Sequence, residues 1–114
     1  MHEMSIALDI ITTVENEMKD HKVRSLKGLK LRVGAMTAVE PDSLQFCFDA
    51  AIEKTPLEGA KLFIEEIPLK GRCENCSEEF LLEHYFSTPC PACGEKASKI
   101  ISGRELDVVS MEVE

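Results

Sequence analysis

Four cysteines constrain this chain more than any other feature. They fall as Cys73-x2-Cys76, thirteen residues, then Cys90-x2-Cys93. Two tight turns of this kind can aim four thiolates at one tetrahedral centre. Zinc favours that arrangement, because its sulfur sites are four-coordinate and carry no redox chemistry. Pro91 stiffens the second turn, and Gly94 permits the positive φ that brings backbone amides towards the sulfurs. Two other readings are four reduced, unliganded cysteines and a redox dithiol. A redox Cys-x-x-Cys usually stands singly near a βαβ pattern, whereas here two pairs stand at ribbon spacing. With all four ligands cysteine, no position is left for water, so the expected Zn(II) is structural rather than catalytic. His84 between the pairs reads as a partly exposed ribbon residue.

The stretch GRCENCSEEFLLEHYFSTPCPACGEK is too short to build a core of its own, so metal binding would supply the missing folding free energy. Phe80, Leu81 and Leu82 on one side, with Ile100 and Ile101 on the other, can form its short strands. What flanks it has a different character. Met4, Ala7, Leu8, Ile11, Val14 and Met18 recur at helical spacing, with Glu3 near the positive end of the dipole and His21 near the last carbonyls. Leu29, Leu31 and Val33 alternate as a strand. Pro41 opens a second helix with Leu44, Cys47, Phe48, Ala51 and Ile52 on its buried stripe, and Pro56 stops it. Cys47 is read there as a small core residue. Ala60, Leu62 and Ile64 alternate again, as do Val109, Met111 and Val113. Leu106 and Val108 fall on the opposite parity, which predicts a bulge or a twist near Val108. The expected fold is therefore α+β: a unit of two helices and a three-stranded sheet, residues 1–70 and 100–114, interrupted by a four-cysteine zinc ribbon, residues 71–99.

Charge narrows the partners. The chain carries 21 acidic against 13 basic residues, a net charge of −8. Within the ribbon, Arg72 and Lys96 face Glu74, Glu78, Glu79, Glu83 and Glu95. Nucleic-acid binding rests on phosphate neutralisation, so no nucleic-acid partner is expected. No apolar run is long enough for a membrane helix, and no signal-peptide pattern opens the chain, so a cytoplasmic protein without a membrane partner is expected. In a reducing compartment five cysteines are not a disulfide framework.

The opening MHEMSIALDI places His2 directly behind Met1. A free α-amine, the next amide nitrogen and the imidazole Nδ1 can close a five- and a six-membered ring around one ion. Ni(II) and Cu(II) displace amide protons and prefer such tetragonal nitrogen donors. Glu3 could add a donor through its backbone nitrogen or carboxylate. The competing reading is a histidine on a frayed terminus. A bulky second residue also disfavours removal of Met1.

The MHEMSIA opening, the four-cysteine ribbon in the latter half and the closing GRELDVVSMEVE together resemble the hydrogenase-maturation nickel chaperones, the HypA/HybF family. The resemblance spans essentially the whole chain. It implies that Met1, His2 and Glu3 take up nickel and that Cys73, Cys76, Cys90 and Cys93 hold structural zinc. It implies a non-enzymatic metallochaperone that works with a nickel-handling GTPase of the HypB type. It further implies delivery of nickel to the large subunit of [NiFe]-hydrogenase, and some members of that family also serve urease. Some members carry histidines beside the cysteine pairs; here Ser77 and Gly94 take those places. A zinc-ribbon adaptor for protein or nucleic acid, without a second metal, is the alternative. No nucleophile–base motif or phosphate loop supports an enzyme.

Overall fold

The computed structural model describes residues 3–82, 88–96 and 98–113. Helix α1 runs Glu3–Asp20 and buries Ile6, Ala7, Ile10, Ile11, Val14 and Met18. The expected stripe is right along its axis but spreads to the other flank. Ile6 and Ile10 are covered, while Met4 and Leu8 remain 41% and 50% exposed. The helix ends in a Schellman motif. Val23 N–H donates to Met18 O at 2.8 Å, and Lys22 N–H donates to Lys19 O at 3.2 Å, with Lys22 left-handed at φ 56°. His21 turns sideways to Glu17, 3.5 Å away, on an exposed surface.

Strand β1, Leu26–Gly34, is the central strand of a three-stranded sheet. Helix α2, Pro41–Ala51, starts with proline at its first turn and buries Leu44 and Phe48. Cys47 and Ala51 pack partly buried against the same core, as the spacing predicts. The chain then returns as β2, Lys61–Ile67, parallel to β1. Alternation places Leu62 and Ile64 towards the helices, with Ala60 buried just ahead of the strand.

The chain next enters a second sheet: β3, Lys70–Cys73; β4, Glu79–Leu81; and β5, Ser98–Ser102, ordered β4-β3-β5 and antiparallel throughout. It encloses a separate small core of Cys73, Phe80, Leu82 and Cys90, flanked by Leu69 and Ile100. β3 was not legible as a strand, and the expected ribbon boundary between residues 99 and 100 falls inside β5.

Strand β6, Leu106–Val113, then completes the first sheet antiparallel to β1. The predicted bulge is present. Lys30 pairs with Ser110 and Leu31 with Val108, leaving Val109 as the extra residue. The bulge lets Leu106 and Val108, on one parity, and Met111, on the other, all pack against the main core.

The two sheets meet at a close crossing of backbones. Gly34 N–H donates to Glu105 O and Met36 N–H to Gly103 O, both at 2.7 Å. Ser102 Oγ donates to Pro68 O at 2.8 Å, tying the two connecting segments together. A Cβ on Gly34 would overlap the carbonyl of Gly103, which itself takes φ +115° against Leu69. Among the described residues, no helix is long and apolar enough to cross a membrane.

Candidate metal centres

Each cysteine pair sits in a turn with the same hydrogen-bond pattern. Cys73 N–H donates to Glu78 O at 2.8 Å, and Ser77 N–H donates to Cys73 O at 2.9 Å. In the second turn, Cys90 N–H donates to Glu95 O and Gly94 N–H to Cys90 O, both at 2.8 Å. The residue after each pair is left-handed, Ser77 at φ 66° and Gly94 at φ +80°. The positive φ expected at Gly94 is present. Its counterpart at Ser77 was not read, because serine carries no such signal; equivalence to Gly94 in the motif is what could have revealed it.

These two turns converge. The four sulfurs lie within 4.8 Å of one another, with Cys73 and Cys93 3.5 Å apart and Cys76 and Cys90 also 3.5 Å apart. A tetrahedral zinc with bonds near 2.3 Å sets sulfurs about 3.8 Å apart, so the donor set has the right span for such an ion. Cys73 and Cys90 are buried, and Cys76 and Cys93 are exposed. β3 delivers Cys73 directly, at its last residue.

Four thiols this close cannot share their charges without a cation. The Cys93 thiol is pulled down to about 7, first by a hydrogen bond with the Glu95 backbone and then by the Asn75 side chain. At Cys76 the Glu78 backbone pulls downward. The hydrogen bond with Cys90, desolvation, and contacts with Cys93 and Cys73 together outweigh it and push the thiol up to about 12. A bound dication removes this conflict by stabilising all four thiolates. Asn75, a residue that sequence reasoning passed over, thus supports the site from within the first turn.

The other candidate ligands are differently placed. Glu3 opens α1 and is partly buried. Met1, His2 and His84 lie outside the described residues.

Fold and site together define a small α+β metal-binding protein, in which one sheet with two helices accompanies a four-cysteine ribbon. A family profile described as hydrogenase/urease nickel incorporation, metallochaperone, hypA matches residues 1–113. The chain belongs to this HypA family, whose members are metallochaperones and not enzymes. The hydrogenase maturation factor HypA of Chlorobaculum tepidum is 44% identical over 114 residues, covering 100% of both chains. That of Geobacter metallireducens is 42% identical with the same coverage. The solution structure of the Ni metallochaperone HypA from Helicobacter pylori aligns with a TM-score of 0.69 at 23% identity, covering 99% of this chain and 97% of that one. That likeness is one of fold.

Proposed function

We propose that this chain binds Ni(II) at Met1, His2 and Glu3 and delivers it in the cytoplasm for maturation of [NiFe]-hydrogenase. In this reading the β2-β1-β6 sheet with its two helices is the nickel-binding unit, and the β4-β3-β5 sheet with the cysteine turns is the ribbon, so the expected bounds at 70/71 and 99/100 move outward to keep β3 and β5 whole. The observation that carries it is the family match, which runs from residue 1 through the ribbon to residue 113 and so includes the Met-His-Glu opening. Glu3 begins α1, so the terminal ligands are followed at once by a regular, packed helix. The α-amine, the amide nitrogen and the imidazole supply the chelate rings. Glu3 offers a further donor. Release to a partner follows by ligand exchange, since terminal donors can be replaced singly.

The four cysteines hold Zn(II), which supplies charge compensation and cross-linking to the ribbon. This chain's own residues do the rest: the Glu78 and Glu95 backbones and Asn75 set the thiolate positions. A nickel-handling GTPase of the HypB type and the hydrogenase large subunit are the partners, with the urease pathway a second destination. The net charge of −8 disfavours nucleic acid.

Calorimetric titration of nickel into three untagged or minimally altered proteins tests this reading. A Gly-Ser extension ahead of Met1 removes only the α-amine, and should weaken nickel binding about tenfold or more, at least about 1.4 kcal/mol. His2→Ala should weaken it at least as much. Nickel affinity should also fall as pH drops towards the histidine value near 6.5, because protons compete for the nitrogens. Zinc content, about one ion per chain before any metal is added, should not change in either variant. Equal nickel affinity across native, extended and His2→Ala proteins would overturn the assignment.

A further inference from the structure

Among the described residues, the first sheet ends in two edges that no further strand pairs, β2 on one side and β6 on the other. They differ in their surroundings. α2 packs near β2. Beside β6, a cleft of about 440 Å³ opens between the strand and α1. Ile6, Ile10, Leu106 and Val108 contribute apolar walls, and Asp9 and Thr13 belong to its helical side. Along the strand, Val109 and Val113 are 47% and 44% exposed.

An edge of this composition is a template for another strand, and proteins commonly guard such edges with lysine, proline or a bulge. β6 carries no lysine and no proline; its one such guard is the bulge at Val109. An open edge beside a side-chain cleft is the combination used in strand addition. Backbone hydrogen bonds give affinity there, and the cleft selects alternate side chains.

We propose that the β6 edge and its cleft form a docking site for an extended, basic segment of a partner protein. The segment adds a strand to the sheet, places apolar side chains between α1 and β6, and sets a lysine or arginine against Asp9. Charge selects this occupant. Asp107 is already held by Arg32, Nη2 to Oδ2 at 3.0 Å, and Glu105 Oε1 accepts the Gly103 N–H. Asp9 has no ion pair among the described residues. A second copy of the chain would bring the same net charge of −8 and another Asp9 without an ion pair among the described residues, whereas Asp107 and Glu112 are already paired with Arg32 and Lys27. A basic segment meets no such repulsion. Ile6 lies one helical turn from Glu3, so a docked strand would also run beside that proposed nickel ligand; that clause alone rests on the function proposed above.

The test uses the full chain as purified, without nickel, so that its outcome is independent of the nickel assignment. Two short peptides serve as probes, one alternating valine with lysine and one alternating valine with glutamate. Binding is followed by fluorescence anisotropy, and amide hydrogen exchange locates it. The lysine peptide should bind and slow exchange along β6 but not β2, and the glutamate peptide should not bind. Asp9→Lys should weaken the lysine peptide about tenfold. Val109→Lys, which places a charge on the open edge, should weaken it as well. Both variants should keep the native thermal midpoint. Equal binding of the two peptides, protection at β2 instead of β6, or no protection at either edge would overturn the proposal. So would self-association through β6 in the absence of peptide.

Discussion

Single residues decide more here than their chemistry announces. Phe48 and Phe46 lie two apart on α2, yet the first is fully buried and the second is 74% exposed. Phe48→Ala should therefore cost about 3–5 kcal/mol, while Phe46→Ala should stay within about 0.5 kcal/mol. Urea denaturation of the two variants checks both. Gly34→Ala drives a methyl into the Gly103 carbonyl and strains the bonds from Gly34 to Glu105 and from Met36 to Gly103. A loss of about 1–3 kcal/mol is expected in the same assay, with the cysteine-bound metal retained. The four cysteines and Gly94 were legible in the sequence, because metal spacing and positive φ leave direct marks. Lys22 and Ser77 were not, since neither residue type asks for the left-handed conformation it adopts. Met4 and Leu8 misled because periodicity fixes a stripe's axis and leaves its width open, and tertiary packing chose Ile6 and Ile10.

At the scale of elements, both helices and the three strands of the first sheet were readable from apolar spacing. The bulge in β6 was readable from the break in parity between Val108 and Val109. β3 was invisible, because Lys-Gly-Arg-Cys has no apolar alternation; its strand character comes from its two neighbours. One of those pairings is marked by charge. Arg72 Nη2 lies 2.8 Å from Glu79 Oε2 across the β3–β4 pair. Its hydrogen bond and positive charge hold the Glu79 carboxyl below the usual carboxylate range. A folded value lower than the unfolded one means that the pair's contribution is present above the unfolded value. It is lost as pH falls through the folded one. In an NMR pH titration Glu79 should therefore titrate below an ordinary glutamate, and Arg72→Ala should raise it. An unmoved midpoint in the variant would remove the arginine from the explanation.

For the whole molecule, two separate cores imply two separate sensitivities. Among the described residues, the core under α1 and α2 draws on seventeen buried apolar residues, whereas the second core has four, two of them metal-ligand candidates. Stripping metal with a chelator, or substituting Cys76→Ser, should collapse the β4-β3-β5 sheet and leave most helical circular dichroism intact. Loss of both signals together would show that the two cores depend on one another through the Gly34–Gly103 crossing. The order of strands along the chain adds a consequence for biosynthesis. β1 needs both β2 and β6, but β6 is made only after the entire inserted sheet. A chain that has emerged only as far as the inserted sheet therefore lacks one edge of its central sheet. That edge must afterwards return across roughly forty intervening residues, a closure whose entropy grows with their number. Pairing of Lys70 with Ser102 brings the ends of that detour together. Metal captured early by the cysteines would thus act as a clasp during assembly, presenting the final strand to its place before the rest of the fold is sealed.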